Sequence, residues 1–209
     1  MDEIVLRSMA RWPDVPDVYG WLALDRRGNW LVKNAGGGFG RIANAAVCDF
    51  IGRNYQHDDA GRWFFQNGPQ RVFVSLHYMP LVYRMDGYSI DGNGVEGGGL
   101  VWRTHIGVVA RTLLAAWLDD AGGLLVQTEA GAGLLDDRDL APALEMMRGP
   151  DGAVPGESAL SRAAEGGVSL HLGPATTPRV LGFVAAAGAA AHFGFNPEPR
   201  PAAGRPDCE

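Results

Sequence analysis

The chain has 209 residues, 24 acidic against 18 basic side chains, a formal charge of −6, 46% hydrophobic residues, 30 Gly, 13 Pro and two Cys. That length and apolar fraction fit one domain divisible into two halves, with a real core and no global disorder. An acidic balance argues against a nucleic-acid partner, whose phosphates need clustered cations, and two well-separated Cys argue against a disulfide framework.

Met1-Asp2-Glu3 is acidic where a secretory signal is basic, and no long apolar stretch follows, so a cytoplasmic location is expected. Residues 2–11 are expected to form a short helix with Ile4, Val5 and Met9 facing inward, stopped by Pro13 and Pro16. Residues 19–24 and 29–33 are rich in aromatic and β-branched side chains. Asp25-Arg26-Arg27-Gly28 between them supplies turn chemistry, which predicts a hairpin. A Gly-rich loop over 34–40 leads to an amphipathic helix over 44–55, with Val47, Phe50, Ile51 and Tyr55 on its buried stripe and Cys48 at the edge.

A second hairpin, residues 62–66 and 71–78, reverses at Asn67-Gly68-Pro69-Gln70. Pro80 interrupts, and residues 81–85 are extended again. Residues 86–99 hold six Gly and predict a long loop. Residues 100–104 are strand-like, as are 108–118, although the latter pattern also suits a helix. After Asp119-Asp120-Ala121-Gly122 come a strand over 123–128 and a helix over 136–147, whose N-terminus Asp136 or Asp137 favours. Residues 149–167 predict a loop with a short helix near 158–164, and residues 168–172 and 179–184 the last strands. The run 180–195 is 16 residues of mostly Ala and Gly with His192, too short and too weakly apolar for a membrane span. From Asn196 the tail has four Pro in 14 residues and is expected to be disordered.

Leu24-Asp25-Arg26-Arg27-Gly28-Asn29-Trp30-Leu31-Val32 and Leu118-Asp119-Asp120-Ala121-Gly122-Gly123-Leu124-Leu125-Val126 share the pattern L-D-x-x-G-x-Φ-L-V, where Φ is apolar. Asp58-Asp59-Ala60-Gly61-Arg62-Trp63 offers a shorter third version. A spacing near 94 residues exceeds any solenoid unit, typically ~20–50 residues. The expected fold is therefore α+β: antiparallel β-hairpins forming curved sheets covered by helices, in two similar repeated halves. Their expected spans are 1–85 and 100–195, joined by the Gly-rich loop 86–99 and followed by the tail 196–209. The repeat is either a duplication or independent use of one favourable turn.

The order Trp21, Leu24-Asp25, Gly28, Trp30, a helix ending near Phe50, then Asp58, Gly61, Trp63, Gln70-Arg71-Val72, Val74 and Pro80-Leu81-Val82 resembles uncharacterised proteobacterial domain-of-unknown-function families. The match is best over the first 85 or so residues. The resemblance extends distantly to a family of repeated α/β motifs with a suggested ligand-binding or signalling role, and it transfers no catalytic residue.

No H-E-x-x-H or C-x-x-C spacing is present, and His57, His77, His105, His171 and His192 are isolated. Asp91-Gly92-Asn93-Gly94-Val95-Glu96 resembles the middle of a calcium loop, but Ser89 and Leu100 stand where principal ligands belong. Cys48 beside Asp49 has its thiolate disfavoured. Gly36-Gly37-Gly38-Phe39-Gly40-Arg41 before a helix superficially suggests a phosphate cradle but lacks the P-loop ending. No catalytic residue, cofactor or metal is expected. What remains is an aromatic and Arg-rich set, from which Trp63, Gln66, Asn67, Arg71, Arg84 and Trp102 are the candidate ligand-binding residues. They form either core aromatics with solvated arginines or a half-open pocket for a small anion or a partner's carboxylate. The leading expectation is a non-enzymatic small-ligand or protein-binding module in a regulatory setting. The alternatives are a hydrolase whose carboxylates meet only in three dimensions and a structural homodimer.

Overall fold

In the computed structural model, residues 1–88, 100–164, 170–172 and 179–201 are described. The chain is an α+β protein with two curved sheets, in two compact units: Met1–Pro80 with Phe193–Glu209, and Leu81–His192.

The first unit opens with α1 (Glu3–Arg11), which stops before Pro13 as proline sterics require. Only Val5 of this helix is buried. Ile4, expected inside, is exposed and Met9 is half-buried, because the helix seats a narrow stripe through Val5, Ser8 and Met9. Then follow β1 (Val18–Leu24), β2 (Trp30–Lys33), β3 (Phe39–Arg41), α2 (Ala45–Arg53), β4 (Tyr55–His57), β5 (Trp63–Asn67) and β6 (Gln70–Leu76). Their order across the sheet is β3-β2-β1-β6-β5-β4, with β1 and β6 parallel and the other pairs antiparallel. Consecutive residues of the central pair, Leu22-Ala23-Leu24 and Phe73-Val74, are buried, as expected of strands covered on both faces.

Two expectations need correction here. The helix over 44–55 ends at Arg53, because Asn54 closes it: its side-chain amide donates to Phe50 O and its backbone N–H to Ile51 O. Tyr55 therefore begins a strand, and Val47 is exposed. The Gly-rich stretch 34–40 is a hairpin reversal rather than a loop before a helix. Asn34 Oδ1 accepts the N–H groups of Gly36 and Gly38, which occupies amides that a phosphate cradle would need.

That reversal is one member of a recurring turn. At Asp25, Asp58 and Asp119 the carboxylate Oδ1 accepts the N–H groups two and four residues on. Each Asp N–H donates to the carbonyl four residues ahead, and each Asp carbonyl accepts from the glycine at the third position. Gly28, Gly61 and Gly122 have φ of 75°, 68° and 76°, the left-handed region where glycine carries no Cβ penalty. Asn34 with Gly37 and Thr104 with Gly107 repeat the backbone pattern.

The second unit contains β7 (Val82–Tyr88), β8 (Leu100–Thr104), β9 (Val109–Ala110), β10 (Leu113–Leu118), β11 (Leu124–Thr128) and β12 (Gly131–Leu135). A 3-10 turn, Asp137–Asp139, leads into α3 (Leu140–Glu145), followed by α4 (Glu157–Ala164), β13 (His171–Leu172), β14 (Arg179–Phe183) and α5 (Ala189–Phe193). Strand order is β13-β14-β10-β11-β12-β7-β8-β9, with β10 parallel to β14 and β12 parallel to β7. The segment 108–118 is two strands, not one strand or a helix. Between them the Glu129 carboxylate accepts the N–H groups of Arg111 and Thr112, diverting them from the ladder. The helix expected over 136–147 is shorter and starts with the 3-10 turn. Strand β12 was not legible, since its Gly-Ala-Gly start has no strand propensity. It forms where Gly133 lets the Tyr83 ring approach and the Tyr83 hydroxyl bonds Thr128 Oγ1 and Gly131 O, each at 2.9 Å. Strand β7 runs on to Tyr88, into the segment read as a loop; residues 89–99, with the calcium-like motif, lie outside the described residues. Among the described residues no helix is long and apolar enough to cross a membrane.

The order β3-β2-β1-β6-β5 in the first unit recurs as β12-β11-β10-β14-β13 in the second, each with its central pair parallel and its first hairpin closed by the Asp25 or Asp119 turn. The segment after α5 belongs to the first unit. Asn196 N–H donates to Gly61 O at 2.9 Å, Leu76 N–H donates to Pro197 O at 2.8 Å, and Phe195 and Pro199 are buried. Residues 196–201 are thus held, where the sequence suggested disorder from Asn196; residues 202–209 lie outside the described residues.

Gly61 is tight in both senses: its φ is positive, and an added Cβ would collide with Gly194 O and approach Phe195 Cα at 2.9 Å. Gly122 has the same φ class but nothing within 4 Å. Gly122→Ala is expected to cost ~1–2 kcal/mol of backbone strain. Gly61→Ala is expected to cost more and to expose the chain after Phe193 to protease, as urea unfolding and limited proteolysis will show.

Candidate functional site

Alternation along β5 and β6 sorts the second hairpin's side chains onto two faces. Phe64 pairs with Phe73 and Gln66 with Arg71, so these four share one face, and Tyr19 stacks on Phe73 at 4.6 Å with an interplanar angle of 7°. Trp63 and Phe65 take the other face, against Tyr55 and against Phe50 of α2. At the Gln66–Arg71 end, α1 and the loop after it roof the first face. The Gln70 side chain donates to Pro16 O at 3.0 Å and pins that loop. At the helix's start, the Asp2 N–H donates to the buried Asn54 side chain, and Arg53 pairs with the Asp2 carboxylate at 3.1 Å.

Beneath this roof is a cavity of about 640 Å³, within the range of small-molecule sites. Trp12, Tyr19, Pro13, Pro16, Pro69 and Pro201 give it an aromatic and prolyl wall, and Asp14, Asp17, Gln66 and Arg71 its polar groups. The Arg71 guanidinium lies 4.7 Å from the Phe64 ring centroid, which orients it without neutralising it, and it has no carboxylate partner among the described residues. Gln66 is 1% exposed; its amide N–H₂ donates to Gly68 O at 2.9 Å, while its Oε1 is buried with no hydrogen-bond partner among the described residues.

Of the six residues singled out from sequence, Gln66 and Arg71 line this cavity. Trp63 is half-buried against Tyr55 and His57, with ring centroids 4.7 and 4.9 Å away, and Asn67 is exposed at the end of β5. Arg84 and Trp102 lie in the second unit. Arg84 is bonded to Asp139, with Nη2 to Oδ1 at 3.0 Å, and Trp102 is 1% exposed beside the Tyr83 ring. Sequence reading missed Trp12, Asp14, Asp17 and Tyr19. Their signal was present in Trp12-Pro13-Asp14-Val15-Pro16-Asp17-Val18-Tyr19, two Pro-Asp-Val triplets between aromatics, which registered only as a helix stop. Among the described residues no group of three or more His, Cys, Asp or Glu converges to hold a metal ion.

The DUF2944 family model, described as a protein of unknown function (DUF2946), matches residues 1–200. The chain belongs to this family. The resemblance to an uncharacterised domain family thus holds well beyond the first 85 residues. A crystallised DUF1285 family protein from Silicibacter pomeroyi DSS-3 is similar at 17% identity and a TM-score of 0.47, over 64% of this chain and 73% of that one. No curated protein matches the chain.

In the second unit, this DUF2944 chain gathers its most perturbed charges where β12 ends. Asp136 caps the 3-10 turn by accepting Arg138 N–H at 3.0 Å and is gripped by the Arg138 guanidinium at 2.7 and 2.6 Å. Those side-chain bonds, outweighing burial, lower its pKa from 3.8 to about 2. For Asp139, burial pushes the pKa up, but the Arg84 and Met85 hydrogen bonds prevail and lower it. The Asp139 carboxylate is taken up in holding β7 to the turn and that of Asp136 in gripping Arg138 within it, which marks the cluster as structural. A depressed folded-state pKa contributes stability above the ordinary value, lost as pH falls through the folded one. Unfolding free energy is therefore expected to drop by on the order of 1–2 kcal/mol between pH 4 and pH 2, discounted for the exposed Arg138. Asp136→Asn should shrink that drop in urea titrations across the same pH range.

Proposed function

We propose that the chain is a non-enzymatic binding module whose site is the cavity of the first unit, taking a small ligand that presents an anionic group to Arg71. The observation that carries this reading is the Arg71 guanidinium, held over Phe64 on a cavity wall with no carboxylate paired to it among the described residues. Among the described residues the cavity lining contains no His, Cys, Ser or Thr, which favours binding over nucleophilic chemistry. The acidic, Cys-poor composition and the family resemblance support a regulatory role in the cytoplasm. The matched strand orders of the two units support reading them as duplicated copies of one β-β-β-α-β-β element.

A second reading has one observation in its favour: Asp14 and Asp17 line the same cavity, the paired acids that a hydrolase would need. Both sit on the loop after α1, with Asp14 exposed, so the binding reading is preferred. Titrating the protein with carboxylate-bearing small molecules, amine-bearing ones included, while following Trp fluorescence and melting temperature tests the first reading. At least one of them is expected to bind, and Arg71→Gln should weaken that binding ~10-fold or more, the loss of a charge-assisted hydrogen bond. If Arg71→Gln binds as well as the parent, the assignment fails.

A further inference from the structure

Three kinds of unmet chemistry share the cavity wall. Arg71 offers a site for a carboxylate, Asp14 and Asp17 for a cation, although Asp17 also lies in Coulomb range of Arg62, and Gln66 Oε1, buried beside the cavity with no hydrogen-bond partner among the described residues, would take an N–H donor once its side chain turned toward the cavity. Two acids against one base disfavour a simple anion, since a phosphate or acetate drawn to Arg71 would face both carboxylates. A molecule with charges of both signs and an amide between them answers every group. Around these groups Trp12, Tyr19 and four prolines offer flat apolar surfaces for aliphatic side chains.

We infer that the cavity recognises short free peptides of two or three residues, with the α-carboxylate at Arg71, the ammonium at Asp14 and Asp17, and a backbone N–H at Gln66. The inference rests on the binding reading above and sharpens its ligand class. The unit already holds an extended stretch of its own chain by a main-chain bond: Leu76 N–H donates to Pro197 O, and four residues on Pro201 reaches the cavity. A peptide of two or three residues suits a 640 Å³ space, whereas a single amino acid supplies no internal amide and leaves Gln66 unanswered.

The test uses the full chain and calorimetric or Trp-fluorescence titration with the dipeptide Ala-Leu, its N-acetyl form, its C-terminal amide, the dipeptide Ala-Pro, sodium acetate and inorganic phosphate. Ala-Leu is expected to bind, and blocking either terminus to weaken it at least 10-fold. Ala-Pro, whose peptide nitrogen carries no hydrogen, is expected to bind more weakly than Ala-Leu. Arg71→Gln should make the acid and its amide indistinguishable, and Asp14→Asn with Asp17→Asn, on the surface loop, should do the same for the free and acetylated amines. Circular dichroism of each variant secures the fold. If acetate or phosphate binds in an Arg71-dependent way while Ala-Leu does not, the peptide inference is overturned and the anion site stands. Equal binding of blocked and free dipeptides also overturns it. If nothing binds, the cavity is not a site for this chemistry and both readings fall.

Discussion

The fold depends on how a carboxylate can substitute for missing backbone partners at a sharp reversal. In each Asp turn one side-chain oxygen satisfies two amides that would otherwise point into open space, and a glycine at the third position accepts a conformation that other residues resist. Strands that begin and end on such a turn have their register set by it. Leu24 faces Trp30 and Leu118 faces Leu124 in the same relation. Abundant glycine is thus a property of the reversals, not of phosphate chemistry.

The cavity follows from the register those turns impose. With Phe64 opposite Phe73, Gln66 and Arg71 fall on the same face two residues further along, at the hairpin's end, beyond the shielded aromatic pair. Proline does the rest. Pro13 stops α1 early enough that the chain crosses this end as an irregular loop, and a loop tied down through Pro16 O leaves space beneath it that a continued helix would fill.

Much of this was legible because the physics is local. Apolar period and turn residues placed both hairpins of the first unit, and the D-x-x-G repetition anticipated two sheets with a common start. What was not legible depends on distant partners. Strand β12 has no propensity of its own and exists because Tyr83 reaches it; residues 108–118 divide because Glu129, in the turn between β11 and β12, takes two of their amides. In the cavity lining, Arg71 and Gln66 belong to the aromatic and Arg-rich set read around the second hairpin. The triplets between Trp12 and Tyr19 were passed over, because proline signals a break more loudly than a binding wall.

The return of the chain to the first unit bears on the order of events during synthesis. The stretch bonded to Gly61 and Leu76 leaves the ribosome only after the entire second unit, so the first unit spends that interval with an unsatisfied Leu76 amide and an open side. The second unit is contiguous and can condense on its own while the first waits. Nascent chains stalled before Phe193 would carry one finished unit and one unfinished unit, and the wall that Pro201 contributes would be the last part of the cavity to arrive.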